Sequence, residues 1–410
     1  MLLPLRLTVT VFAGLGGLVS ASGVWESVGG KTIVQQYCVD DKICVVTASE
    51  MAAQPVDIDG GVLEGGGQIL RLAASFSYLT KVPIKVRNIR AGRSKPGLMA
   101  QHLKGLELVQ KLSGGQLVGA EMGSTEVTFF PGDRRGGGEF SADTQTAGSV
   151  GLLIQVALPC ALFSSTTTIL QLRGGTNAEM APQFDYTTEV FRPLLERFGA
   201  TFDYKLLRRG YFPRGGGEVH IRVNPVRQLK PIKMIDGGKI LRIWGWAFVA
   251  GTLPIKLASV MADSATVALQ RAFKGVEINI EAYKEREEDA VGNGSGINIV
   301  AETTTGCILG ASGLGKRDVR PEQVGKQAAD DLISTVETGA CVDPHAQDQM
   351  VVLMALADGI SQVKVGPVTQ HTETAIYIAK SLSEAKFHII KQGPHSNIIE
   401  CTGIGLLNPV

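Results

Sequence analysis

VDIDGGVLEGGGQILRLAASFSYLTKVPIKVRNI, from Val56 to Ile89, reads as strand, glycine loop, helix and strand in succession. Val56–Asp59 and Pro83–Ile89 carry the strand patterns, and Gln68–Leu79 between them reads as a helix. Gly65, Gly66 and Gly67 let the backbone approach a bound group where a side chain would collide. The free N–H groups and positive dipole end of the helix would face that group. Glu64 precedes the loop and Arg71 lies one turn inside the helix. A potential metal carboxylate and a phosphate-gripping guanidinium thus flank one anion pocket. The run is neither G-x-G-x-x-G nor G-x-x-x-x-G-K-[ST], so neither named mononucleotide motif applies. A tight turn opening a buried helix would explain the same glycines.

Outward from this unit, short strands keep alternating with amphipathic helices. The loop IRAGRSKPG (Ile89–Gly97) leads into a helix over Leu98–Leu112, and Gln116–Phe130 carries two strand runs split at Gly119 to Gly123. An almost wholly apolar helix follows over Gly148–Phe163, with Pro159 as a kink point. A strand over Ile169–Arg173 and a helix over Phe184–Phe198 precede strands at Phe202–Leu207 and Glu218–Val223. The triplet GGG recurs at Gly65, Gly136 and Gly215, at separations too long for a solenoid. Such repeats suggest small α/β modules packed around one another. Near residue 235 the texture changes, with KEREEDAVGNGSG (Lys284–Gly296) reading as an exposed loop. We take 235–318 as a compact insertion, after which helices at Pro321–Glu337, Ala346–Ala357 and Thr372–Leu382 resume the main pattern.

Composition bounds the class. The 410 residues are 44% hydrophobic and 19% charged, which describes a well-cored globular chain of two or three domains. Glycine supplies 50 residues, well above an average usage of about 7%, and implies many tight turns. A net charge of +1 argues against a strongly basic nucleic-acid coat and leaves room for a local basic pocket. The six cysteines show no C-x-x-C or Cys/His zinc spacing, as in a reduced intracellular protein. Residues 1–50 stand apart. Arg6, the apolar run Leu7–Val19 and Ser20-Ala21-Ser22 pass for a signal peptide, while Met51 looks like a natural start. A non-native extension, unordered, is the plainer reading.

Among six histidines none has H-E-x-x-H or i,i+4 metal spacing. His371, in VGPVTQHTETAI, sits where a strand has ended and a helix begins. A helix N-terminus disfavours imidazolium, so this ring would stay neutral and nucleophilic, with Thr372 or Thr374 bonding its other nitrogen or a phosphate. A capping histidine without chemistry fits the same pattern. His220 and His388 alternate with apolar residues in strands, and His395 lies in a polar loop. Arg90, Arg93 and Lys95 on the shaped loop suit phosphate contact, although loop cations are commonly solvated. Pro182 and Tyr186, in GGTNAEMAPQFDY, could wall a planar-ring pocket. Asp348-Gln349 beside an apolar face needs partners, either a structural network or a ligand.

From about Val56 onward the chain closely resembles the RNA 3′-terminal phosphate cyclases. The stretches EGGGQILR, IRAGRSKPGLMAQHL, TAGSVGLLIQ, GGTNAEMAPQFDY, RGYFPRGGGEV, GNGSGI with IVAETTTG, DQMVVLMALADG and GPVTQHTETAI carry the resemblance in family order. It implies an α/β fold of repeated units, each two helices on a four-stranded sheet, with a smaller α/β domain inserted. On that basis 51–234 and 319–410 form the catalytic repeats and 235–318 the insertion. The resemblance also implies ATP-dependent conversion of an RNA 3′-phosphate to a 2′,3′-cyclic phosphodiester through a histidinyl-AMP and an RNA-adenylate. His371 falls on the nucleophile and Glu64 on the carboxylate for Mg²⁺ or Mn²⁺. Arg71, Arg93, Gln101 and Gln155 fall on phosphate contacts, Pro182 and Tyr186 on the adenine-side wall, and Asp348 and Gln349 on the family's Asp-Gln pair.

Two departures stand out. His345 occupies a position where the family often has a tyrosine stacking on adenine, and nothing in the family corresponds to residues 1–50. A related branch shares the fold, lacks the nucleophilic histidine and acts in ribosome assembly; His371 within an intact HTETAI discriminates against it. The expected partners are ATP and RNA 3′-phosphate ends, with no membrane and no obligate protein partner, and the expected compartment is intracellular, in the nucleus.

Overall fold

The structure, a computed structural model, describes residues 54–133 and 136–409 in full. Ahead of them it describes only the backbone of three short antiparallel hairpins, Thr8–Ala13 with Gly17–Ser22, Glu26–Val28 with Lys31–Ile33, and Tyr37–Val39 with Lys42–Cys44. The reading of 1–50 as an unordered extension or signal otherwise lies outside the described residues.

Three modules share one plan. In the first, β1 (Val56–Asp59), α1 (Gly67–Thr80), β2 (Ile84–Arg87), α2 (Ala100–Ser113), β3 (Gln116–Val118) and β4 (Val127–Phe130) form a sheet of order β1-β2-β4-β3. Its first pair is parallel and the other two antiparallel. The second module repeats this with β5 (Gly138–Asp143), α3 (Val150–Leu162), β6 (Thr168–Gly174), a helical segment that starts as α4 (Phe184–Tyr186) and ends as α5 (Arg192–Arg197), β7 (Asp203–Gly210) and β8 (Gly217–Val223). The third begins at β9 (Lys233–Met234), is interrupted, and resumes below. The expected repeats are therefore real, but the glycine triplets do not mark them. One opens α1, one leads into β5 and one leads into β8, which are non-equivalent places in the plan.

The insertion contains β10 (Ile240–Ala250), α6 (Lys256–Ala272), β11 (Glu277–Lys284), β12 (Ala290–Val291), β13 (Gly294–Thr303), β14 (Ile308–Leu314) and α7 (Pro321–Glu337). Its own core joins Ile243, Ala247, Met261, Ala265, Ile297 and Ile299 to Val324, Ala328 and Leu332. Helix α7 thus packs with the insertion, beyond the boundary expected at 318. The Lys284–Gly296 stretch is exposed at Arg286–Glu288, as expected, but is not loop throughout. β12 adds in parallel to β7 of the second module, pairing Arg209 with Ala290 and Gly210 with Val291. There Arg209 is buried between Asp185, at 2.6 and 2.8 Å, and Glu285 at 2.5 Å. A polar composition reports low hydrophobicity, not exposure, and a buried cation needs such partners.

After the insertion come α8 (Pro344–Leu356), β15 (Ile360–Val365), α9 (Gln370–Leu382), β16 (Lys386–Gly393) and β17 (Ser396–Thr402), and β9 pairs in parallel with β15 to complete the third module. Helix α1 packs against α2, α3 and α9, and α8 against α9, so the helices of all three modules share one layer. Ile69, Leu70, Ala73, Phe76, Leu153, Ala157, Met350 and Leu353 fill it at 2% exposure or less. Each large side chain among them contributes ~1.5–3 kcal/mol of burial. The polar ends of these helices then meet at one place.

One helix departs from expectation. The segment expected as a single helix over Phe184–Phe198 is re-registered by a π-helical turn at Thr187–Phe191, where the Arg192 N–H donates to the Thr187 carbonyl. Pro193, just beyond, has no N–H to continue the ordinary ladder. The turn points Thr187 and Phe191 into the cleft described next. Among the described residues no helix is long and apolar enough to cross a membrane.

Candidate active site

The glycine loop comes first. Gly65 takes a φ of +61° and Gly66 caps α1 without a side-chain hydrogen bond, leaving the first-turn amides open. A Cβ on Gly66 would lie 2.3 and 2.4 Å from the two Glu64 carboxylate oxygens, so only glycine lets that carboxylate fold over the loop. Glu64 Oε1 is ion-paired to Arg93, whose Nη2 also reaches the Glu64 carbonyl at 3.4 Å. Glu64 Oε2 is buried with no hydrogen-bond partner among the described residues. A carboxylate with one anchored and one orphaned buried oxygen fits a hard divalent cation whose remaining ligands come from phosphate and water. Among the described residues no cluster of three His, Cys, Asp or Glu forms a ready-made cage.

His371 lies at the second residue of α9, inside the helix rather than ahead of it. Thr369 caps that helix, accepting from the Thr372 N–H at 3.1 Å. Buried Gln347 binds Thr372 Oγ1 at 3.1 Å and the Pro367 carbonyl at 3.3 Å, which ties this end of α9 to α8. Neither threonine bonds the ring as expected, since Thr374 Oγ1 donates to the Gln370 carbonyl. The ring partner is Gln68, from the first turn of α1. Its Nε2 donates to Asp348 Oδ2 at 2.6 Å and to the His371 carbonyl at 3.1 Å, and its Oε1 stands 2.9 Å from His371 Nδ1.

These contacts assign the histidine tautomer. A backbone carbonyl only accepts, so the Gln68 amide must point its NH₂ toward it, and Oε1 therefore faces the ring. Nδ1 must then carry the hydrogen. Nε2 is left with its lone pair on an exposed ring face, the state a nucleophile needs. Burial raises the Asp348 carboxyl, and the nearby Arg71 charge opposes that rise.

Arg71, Gln155, Asp348 and Gln349 line one cleft with Gln68, Leu72, Pro159, Thr187 and Phe191. Burial lowers the Arg71 guanidinium to about 10, opposed by Asp348 and Glu64, so it stays charged at neutral pH. Gln349 Nε2 bonds back to the His345 carbonyl at 2.8 Å. Gln101 is partly committed, as its Oε1 accepts from the Ser149 N–H at 3.0 Å and braces the start of α3. Arg90 donates to the Lys95 and Gly97 carbonyls at 2.6 and 2.8 Å and shapes its own loop, while Lys95 is exposed.

The ring residues divide. Tyr186 is 4% exposed and donates its hydroxyl to Asp343 Oδ1 at 2.6 Å, so it serves the interior more than an open wall. His345 is exposed and meets Tyr186 edge-on, centroids 6.1 Å apart at 88°. Pro182 is half-buried in the neighbouring loop.

Four residues escaped the sequence reading. Gln68 and Gln347 have been described. Asp343 is fully buried, caps α8 through the His345 and Ala346 N–H groups, and takes the Gly310 N–H of β14 at 3.0 Å. With Tyr186 it joins the second module, the insertion and the third module at one carboxylate. The fourth, His102, is 7% exposed, and its Nδ1 accepts from the Met99 N–H at 3.3 Å. Its Nε2 lies 2.1 Å from where a Gly67 Cβ would be, directly under the glycine loop. Burial first, then Arg71 and Arg90, lowers it to about 3, so it is neutral. An Asp-Pro-His start could have announced the Asp343 cap; the others carry no local signal.

A family model described as RNA 3′-terminal phosphate cyclase matches residues 62–389. The chain is 37% identical over 357 residues to the RNA 3′-terminal phosphate cyclase of Drosophila melanogaster, covering 87% of this chain and 99% of that one. It is 39% identical over 350 residues to the protein of the same name from Pyrobaculum aerophilum, covering 85% and 99%. With Staphylothermus marinus the figures are 39% over 355 residues, 86% and 99%. The composite cleft at the start of α1 therefore lies in a chain that belongs to the RNA 3′-terminal phosphate cyclase family.

Proposed function

We propose that this enzyme uses ATP to convert an RNA 3′-terminal phosphate to a 2′,3′-cyclic phosphodiester through an adenylate carried on His371. The observation that carries this reading is the Gln68 amide, which lines the cleft, accepts from Nδ1–H and leaves Nε2 of the exposed His371 with its lone pair. His371 Nε2 attacks the α-phosphorus of ATP; an N–P bond forms, the bond from Pα to its bridging oxygen breaks, and pyrophosphate leaves. An oxygen of the RNA 3′-phosphate then attacks the same phosphorus, breaking the N–P bond and restoring the ring. Finally the ribose 2′-oxygen attacks the 3′-phosphorus, gives up its proton, and AMP departs. The need for a 2′-hydroxyl confines cyclisation to RNA ends.

The chain's own groups divide this work. Gln68 stabilises the ring as it becomes cationic on N–P bond formation, because its bond to Nδ1–H turns charge-assisted. Arg71, with Gln155 beside it, supplies fixed positive charge in a partly water-excluded cleft. Arg93 and the open amides of the glycine loop face phosphate oxygens, and Pro182 and His345 offer surfaces for adenine. Glu64 would hold Mg²⁺ or Mn²⁺, which when bound neutralises charge on the triphosphate. Incubation with α-labelled ATP and a divalent cation tests the reading: acid-labile label should remain on the protein and move to AMP when 3′-phosphorylated RNA is added. Cyclisation without any protein-bound label would overturn it.

A further inference from the structure

The stretch RGYFPRGGGE leaves one ring with no use in the chemistry above. Phe212 is 78% exposed, whereas every other phenylalanine among the described residues is buried or half-buried. It does not sit on a loose tip. Tyr211 beside it is 3% exposed and stacked on Phe248 at 5.9 Å, and its N–H donates to the Val291 carbonyl at 3.1 Å. The Gly215 N–H closes the turn on the Tyr211 carbonyl at 2.8 Å. Gly215, at φ +64°, presses so closely on the Thr146 carbonyl that a Cβ would come within 2.1 Å of it. An exposed ring on a braced turn loses little freedom on binding a planar partner.

The turn is linked to the glycine loop by a relay of contacts. Thr146 belongs to the loop that enters α3, whose Ser149 N–H is held by Gln101; the next residue, His102, lies under Gly67. Arg214 beside Phe212 is exposed and has no ion-pair or hydrogen-bond partner among the described residues. Met180, 88% exposed, lies on the loop whose Thr176 is hydrogen-bonded to Gly210 at 3.0 Å. A rigid exposed aromatic beside an unpaired arginine is the combination that binds single-stranded nucleic acid by stacking and phosphate contact.

We propose that the turn Tyr211–Gly216 is where the RNA strand lies upstream of its 3′-phosphate, with Phe212 stacked on one base and Arg214 on a neighbouring phosphate. This rests on the RNA-end reading above, and its test uses binding without ATP so that the two stand or fall separately. Fluorescence anisotropy is recorded for a short 3′-phosphorylated RNA and for versions with a single abasic position near the end. Phe212→Ala should weaken the intact RNA roughly tenfold, as expected for one lost base–aromatic stack, and Phe212→Trp should restore it. One abasic position should cost the wild type a similar factor and cost Phe212→Ala nothing. Arg214→Ala should lower the slope of log Kd against log salt by about 0.7. Binding of Phe212→Ala within twofold of wild type, or an abasic penalty equal in both proteins, would overturn the inference whatever ATP labelling shows.

Discussion

Removing the Gln68 side chain is the sharpest test of the proposed activation of His371. In the resting site the bond from Nδ1–H to Oε1, 2.9 Å long, joins neutral groups and has a net worth of ~0.5–1.5 kcal/mol. When Nε2 bonds to phosphorus the ring turns cationic, and the same bond becomes worth ~1.5–3 kcal/mol. The difference, about 1–1.5 kcal/mol, acts only on the transition state, and each ~1.4 kcal/mol is tenfold in rate. Gln68→Ala also frees the ring to place its proton on Nε2 and strips Asp348 of its 2.6 Å amide donor. Loss of tautomer control in a serine protease triad costs ~10⁴-fold with a charged orienting group, so a neutral amide should cost less. We expect adduct formation to slow by roughly 10- to 100-fold, with half-saturation by ATP changing far less. Single-turnover transfer of label from α-labelled ATP, titrated in ATP, separates the two. A Gln68→Ala protein that forms adduct within threefold of the wild-type rate would show that Gln68 does not set the tautomer.

His371→Ala should abolish protein labelling with the melting temperature nearly unchanged, because the ring is exposed; label retained at the wild-type rate would move the nucleophile elsewhere. Glu64→Ala should flatten the dependence of labelling on Mg²⁺ or Mn²⁺, and an unchanged metal titration would remove Glu64 from the cation site. Asp343→Ala leaves the Tyr186 hydroxyl and the Gly310 N–H unsatisfied and removes a helix cap, a loss of roughly 3–5 kcal/mol read by denaturant unfolding. A loss below about 1 kcal/mol would mean the junction is not held there. His102 titrates near 6.5 when unfolded and about 3 when folded, so the unfolded state takes up the proton first. Its contribution is full above pH 6.5 and shrinks as pH falls toward 3, by up to ~1.4 kcal/mol per pH unit. His102→Gln should remove that slope between about pH 6 and 4, and identical slopes in both proteins would show a solvated ring.

Much of this molecule is local and so was legible in one dimension. The strand–loop–helix unit around Gly65–Gly67 follows from glycine's freedom and a helix that starts without a side-chain cap. The module plan and the roles proposed for Glu64, Arg71 and His371 rest on the family resemblance, which is carried by motifs whose residues stand close in sequence. Tertiary structure decided what lies far apart in the chain. Gln68 meets Asp348 and His371 across 280 and 303 residues, and only that encounter tells which ring nitrogen is free. Asp343 gathers Tyr186 and Gly310 from different units, which turned an expected pocket wall into a buried strut. Lys284–Gly296 looked uniformly solvated because polarity is a property of composition, whereas Glu285 within it is drawn in as a second carboxylate for buried Arg209. Periodicity can report which face of an element is apolar; which polar groups must pair across helices of three modules is set by packing alone.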